Sequence, residues 1–186
     1  MLEKYALLKV MKEVLVNAAG VYSVNGTAKK AGVSVFAAKH ALDYLYKKGM
    51  LTKEVIGRTY QYRADRDNYL TRQWKVTFSV EELHDKGIIG KMLETKKEIL
   101  SIILYGSVAI GRDDENSDID ILVIADADSK GKGEIISKGS FIGGKEPNIS
   151  VYTPEEWRRK AEKDKVFYEK AIIDSIALYG EKPVVL

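Results

Sequence analysis

Two short runs in the second half of the chain hold residue types suited to phosphate chemistry. Gly106-Ser107 directly follows a β-rich run, Ile99–Tyr105. After ten further residues come Asp118-Ile119-Asp120 and a wholly apolar stretch to Ala125. Alternation along a strand places Asp118 and Asp120 on one face. Two carboxylates there repel each other unless a cation joins them. Hard oxygen ligands suit Mg2+, which keeps several waters and binds substrate phosphates. Gly106 lets a phosphate approach the backbone closely. Ser107 and the N–H groups after it, at the start of a short helix expected over Val108–Arg112, suit an anion. The segment reads as a phosphate cradle beside a divalent-metal site. Arg112 is either a further phosphate contact or a solvated helix end.

The elements that must hold these groups follow from periodicity. Ile99–Tyr105 and Asp118–Ala125 read as strands, the first buried on both faces. A helix is expected before them, from Ser79 as N-cap with Glu82 three residues on, to about Glu98. Residues 126–133, including Lys130-Gly131-Lys132-Gly133, read as a polar loop. A third strand covers 147–152. Thr153 and Pro154 open a helix to about Lys163. Another helix covers about Val166–Ser175, and residues 176–186 hold an edge strand.

The first half is built differently. Leu2, Tyr5, Ala6, Leu8, Val10, Met11 and Leu15 recur at helical spacing and predict a helix over 2–18. A short helix over 24–31 follows Ser23 or Asn25 as N-cap, and Gly32 breaks it. Ser34 caps a longer helix to about Lys48, and Gly49 closes it. Leu51–Ile56, the turn Gly57-Arg58-Thr59 and Tyr60–Arg63 predict a hairpin. Residues 66–80 read as a connector with a strand-like stretch, Trp74–Phe78.

Both halves resemble known families. The stretch GSVAIGRDDENSDIDILV is similar to the signature GSxARGxxxxxSDxDLxV of the minimal archaeal and bacterial nucleotidyltransferases, within the DNA polymerase beta-like superfamily. The likeness spans about residues 80–183, including ISVYTPEEW and ALYGEKP. It implies that Gly106 and Ser107 hold the terminal phosphates of an NTP, ATP by family habit, and that Asp118 and Asp120 bind Mg2+ or Mn2+. It implies transfer of a nucleoside monophosphate to an acceptor hydroxyl, with pyrophosphate leaving. A protein acceptor is one option, as in antitoxins that modify a HEPN-type toxin. One position departs from the pattern. The family commonly carries a third acid on the next strand, and here Asn148 stands in its place. Asn offers a carbonyl ligand but no general base. Glu146 and Ser150 share its face and are the candidate substitutes.

The order helix, helix, turn, helix, hairpin resembles a winged helix-turn-helix, on NGTAKKAGVSVFAAKHALDYLYKKGMLTKEVIGRTYQYR within residues 1–65. That likeness implies double-stranded DNA as a partner, with a helix in the major groove and the wing on the backbone or minor groove. The candidate contacts are Lys29, Lys30, Ser34, Lys39, His40 and Arg58, with Phe36 and Asp43 on the same helix. A docking or dimerisation module without DNA contact is the competing reading.

Composition bounds these readings. The chain has 186 residues, 45% hydrophobic and 31% charged, and no Cys. This excludes a disulfide scaffold, thiolate metal sites and a Cys nucleophile. No run approaches a membrane span or a signal-peptide core, so no membrane partner and a cytoplasmic location are expected. The net charge of +3 conceals a split. Residues 1–75 carry 14 Lys and Arg against 6 Asp and Glu, whereas residues 76–186 carry 16 against 21. A basic first half suits a polyanion, and an acidic second half suits a metal.

The expected fold is α+β in two domains. A winged helix-turn-helix covers about 1–70, and a polymerase-beta-like nucleotidyltransferase α/β domain covers 80–186, with a small mixed sheet flanked by helices. The expected function is Mg2+-dependent nucleotidyl transfer with DNA binding by the winged helix, in a chain able to form a homodimer. The alternative is a transcriptional regulator whose impaired transferase-like domain senses nucleotide or mediates assembly.

Overall fold

The computed structural model describes residues 5–95, 98–126 and 147–185. The chain divides into two compact units, Met1–Phe78 and Ser79–Leu186. Its class is α+β, with two small sheets and seven helices among the described residues.

In the first unit the helices are α1 (Ala6–Val16), α2 (Val24–Ala31) and α3 (Val35–Lys47). Ser23 accepts a hydrogen bond from the Gly26 N–H and opens α2, and Gly32 at φ 61° ends it in the left-handed conformation. Ser34 does the same for α3 through the Ala37 N–H. Strands β1 (Tyr22–Ser23), β2 (Leu51–Ile56) and β3 (Thr59–Ala64) form an antiparallel sheet in the order β1-β3-β2. The two-residue β1 was not legible as a strand, because two residues carry no period. Val10, Val14, Leu15, Ala38, Leu42, Leu45 and Tyr62 are buried in one core.

Helix α4 (Tyr69–Asp85) corrects the expected connector. Asn68 supplies its cap, its side-chain oxygen accepting from the N–H groups of Leu70 and Thr71 at 2.9 and 3.3 Å. Ser79 therefore lies inside a helix and is not an N-cap. Trp74 and Phe78 stack at 5.7 Å between ring centroids, four residues apart on one helical face. The stretch Trp74–Phe78 is β-rich in composition but helical in period. Gly87 at φ 65° separates α4 from α5 (Ile88–Leu93), so the single helix expected to run to Glu98 is two.

The second unit is built on a four-stranded sheet in the order β6-β5-β4-β7, with β4 (Glu98–Tyr105), β5 (Asp120–Asp126), β6 (Asn148–Tyr152) and β7 (Ser175–Gly180). β4 is antiparallel to β5 and β7, and β5 is parallel to β6. Successive side chains point to opposite faces, and both faces are covered. Ile102, Leu104, Ile121 and Val123 pack with Leu83, Ile88 and Met92 of α4 and α5. Ile103, Tyr105, Leu122 and Ile124 pack with residues of α6 (Pro154–Lys163) and α7 (Lys165–Ile172). Thr153 and Glu156 form a reciprocal capping box at the start of α6. Trp157, only 3% exposed, anchors that layer and donates its indole N–H to the Pro183 carbonyl at 2.7 Å.

Candidate functional site

The candidate active site lies where β4 ends and β5 and β6 begin. Tyr105 closes β4, Asp120 opens β5 and Asn148 opens β6. Tyr105 pairs in register with Asp120, and Asp120 pairs with Asn148. Three side chains thus stand in a row across three strands.

Asp120 has a partner or neighbour for each oxygen. The Asn148 amide donates from Nδ2 to Asp120 Oδ1 at 3.0 Å. Asp120 Oδ2 faces Gly106, whose φ is +77°. A Cβ at Gly106 would sit 2.9 Å from that oxygen, closer than side-chain carbons approach. Gly106 is thus required twice, for its backbone conformation and for the space beside the carboxylate.

After Gly106 the chain makes one turn instead of the short helix expected over Val108–Arg112. The Gly111 N–H donates to the Val108 carbonyl at 3.2 Å and the Arg112 N–H to the Ser107 carbonyl at 2.9 Å. With Gly111 at φ 67°, this is the pattern that terminates helices, applied after one turn. Ser107 is half-buried and Arg112 exposed. The anion reading for Ser107 therefore rests on the glycine turn and not on a helix dipole.

Asp118 precedes β5, which begins at Asp120, so the two acids are not both strand residues. The alternation survives the difference. Asp118 is exposed, Ile119 buried and Asp120 half-buried, so Ile119 turns into the core between the two acids. The loop before them is fixed by Asp114, whose Oδ1 accepts from the Asn116 N–H and the Ser117 hydroxyl, both at 3.0 Å.

Ser150 lies two residues beyond Asn148 on β6 and so on the same face. Glu146 lies outside the described residues, as does the Lys130-Gly131-Lys132-Gly133 stretch. Tyr105 is the site residue that sequence reasoning missed. Burial, then the nearby charge of Asp120, pushes its phenol up to about 12, while the Ser150 hydrogen bond works against the rise. Its strand-end position and its cross-strand partner were the only available signals. No group of three His, Cys, Asp or Glu suited to a metal occurs among the described residues. The donor set present, the carboxylates of Asp118 and Asp120 beside a glycine turn, suits one hard divalent cation that completes its shell with water and phosphate oxygens.

The DNA-contact candidates lie on α2, α3 and the β2–β3 turn and differ in freedom. Lys29 and Arg58 are exposed. Lys30 pairs with Glu13 at 3.4 Å and lies over the Tyr22 ring at 5.7 Å. The Ser34 hydroxyl is engaged as the α3 cap. His40 rests against the Phe36 ring, centroids 4.3 Å apart. Lys39 is ion-paired with Asp43.

Asp43 also accepts from Lys53 Nζ at 3.0 Å and from the Tyr62 hydroxyl at 2.7 Å. Burial raises its carboxyl, but hydrogen bonds from Lys39, Tyr62 and Lys53 outweigh that and hold it well below the usual carboxylate range. Tyr62 is pushed up to about 12, first by burial and then by its bond to Asp43. Lys53 in turn lies over the Tyr60 ring at 4.0 Å and near Tyr62 and Tyr46. Tyr46 of α3 and Tyr60 and Tyr62 of the hairpin thus wall a lysine site.

Among the described residues no helix is long and apolar enough to cross a membrane. Residues 86–173 match the family model described as a nucleotidyltransferase domain. Among solved structures, a DNA-binding protein of Sulfolobus solfataricus, Sso10a-2, is similar over 47% of this chain and 96% of its own, at 21% identity and TM-score 0.35. A toxin–antitoxin crystallised with AMP-PNP is similar over 53% of this chain and 75% of its own, at 24% identity and TM-score 0.35. TrmBL2, an archaeal chromatin protein, is similar over 88% of this chain and 70% of its own, at 13% identity and TM-score 0.31. No curated protein matches the chain.

Proposed function

We propose that this chain, whose residues 86–173 match the model of a nucleotidyltransferase domain, transfers a nucleoside monophosphate from an NTP to an acceptor hydroxyl. The observation that carries the reading is the packing of the Asp120 carboxylate against the Cβ-less face of Gly106, with Asp118 exposed beside it. This supports a site in which a glycine turn takes phosphate beside carboxylates suited to a divalent cation.

In this reading the Gly106 backbone lets the triphosphate approach, and the Ser107 hydroxyl binds a terminal phosphate oxygen. Arg112, exposed at the end of the turn, supplies positive charge to the same end of the nucleotide. Asp118 and Asp120 hold Mg2+ or Mn2+, which when bound neutralises the triphosphate and the charge that develops at the α-phosphorus. Asn148 fixes the orientation of Asp120. The acceptor oxygen forms a bond to the α-phosphorus as the bond to the bridging oxygen breaks, and pyrophosphate leaves. The acceptor's proton passes to solvent, because an amide cannot take it. ATP as donor and a protein hydroxyl as acceptor, such as that of a HEPN-type toxin, follow from the family resemblance.

The first unit is proposed as a winged helix-turn-helix that binds double-stranded DNA. The capped helices α2 and α3 and the β2–β3 hairpin support this, together with the excess of basic residues in this half. A homodimer would match such a module to a two-fold site. A cytoplasmic location accords with both activities. The alternative, a regulator whose transferase-like domain senses nucleotide, draws its support from Asn148.

One assay separates them. The protein is incubated with α-labelled ATP, Mg2+ and lysate, beside the double variant D118A/D120A. Label on an acceptor with wild type alone is the expected result. Mg2+-dependent ATP binding without label transfer would leave the sensor.

A further inference from the structure

We infer that Asn148 makes this a one-cation site, a conclusion that deepens the nucleotidyltransferase reading and rests on it. Asn148 opens β6 directly beside Asp120 and engages Oδ1 through its amide N–H. That oxygen is therefore committed to a neutral donor, and Oδ2 faces the glycine turn. A third carboxylate at this position would stand against Asp120 as a like charge, which only a second cation would relieve. The amide removes the repulsion and the ligand together.

The charge balance points the same way. Asp118 and Asp120 carry two negative charges, which one divalent cation matches. Two-metal sites clamp both the attacking and the leaving oxygens of a displacement. With one cation beside the triphosphate, the clamp on the attacking hydroxyl is missing. Asn148 acts through Asp120 and is a positioning residue, not a catalytic one.

The test counts ions directly. The 186-residue chain is titrated with Mn2+ alone, and the free ion is followed by electron paramagnetic resonance. Wild type is expected to bind one Mn2+ per chain, and N148D two. N148A should still bind one, about 10–100-fold more weakly, because Asp120 has lost its supporting hydrogen bond. Two Mn2+ on wild type, or one on a folded N148D, overturns the inference and leaves the transferase reading standing. No Mn2+ on wild type overturns both. Should N148D fail to fold, the wild-type stoichiometry decides alone.

Discussion

Asp43 on α3 and Asp120 at the start of β5 are both half-buried acids, and the molecule treats them in opposite ways. Asp43 receives Lys39, Lys53 and the Tyr62 hydroxyl. Asp120 receives one neutral amide and rests its other oxygen against the Cβ-less face of Gly106. The first arrangement satisfies a charge internally and holds α3 to the hairpin. The second leaves charge available to a ligand. A carboxylate with its cations already supplied is structural, and one paired only to a neutral donor is the better candidate for chemistry.

The largest expected effect breaks the second arrangement. Asp120→Ala should reduce label transfer at least about 100-fold, the upper end of what removing a mere supporting residue costs. Its melting temperature should stay close to wild type, because only one side-chain hydrogen bond is lost. A large drop in melting temperature would move Asp120 to the structural class of Asp43.

Gly106→Ala comes next. The new methyl meets Asp120 Oδ2 at 2.9 Å, in a backbone conformation that alanine resists. Strain of this kind costs about 1–3 kcal/mol, or roughly 10–100-fold if it is expressed as displacement of the carboxylate. Calorimetric titration with a non-hydrolysable ATP analogue should show weakened binding. Unchanged binding and unchanged transfer would show that the glycine serves the turn alone.

Both acids of the candidate site were legible in the sequence, because their spacing from Gly106-Ser107 is local. The register of β6 on β5 was not, since it depends on a parallel pairing of distant residues. The sequence raised Asn148 as a displaced third acid, yet only the pairing shows that its amide is spent on Asp120. The Asp43 cluster was hidden for the same reason, joining residues ten and nineteen positions apart. Local caps at Ser23, Ser34 and Thr153 were readable. The cap at Asn68 was masked by a polar run, Arg66-Asp67-Asn68, that reads equally well as a loop.

Breaking the first arrangement should cost stability and not activity. Asp43→Asn keeps the shape but loses charge-assisted bonds, at about 1.5–3 kcal/mol for each sheltered bond to a charged group and about 0.3–0.5 kcal/mol for the exposed Lys39 pair. The pH dependence fixes the sign. The folded Asp43 carboxyl lies below its ordinary value, so its contribution is full above about pH 4, the unfolded value. It is lost as pH falls through the folded value. Denaturant unfolding should therefore show a gap between wild type and D43N at pH 7 that narrows below pH 4. A gap independent of pH would assign the cost to packing.

The smallest effect concerns DNA. Each lysine that contacts a phosphate contributes about 0.9 to the slope of log affinity against log salt. Lys29 is exposed, and Lys39 is already paired with Asp43. Lys29→Ala should lower the slope by roughly one contact, while Lys39→Ala should leave it nearly unchanged. In the D43N background Lys39 is released, and its removal should then lower the slope as Lys29 does. If Lys39→Ala reduces the slope with Asp43 intact, the ion pair opens on DNA. The acid would then be a competitor for phosphate as well as a brace for the hairpin.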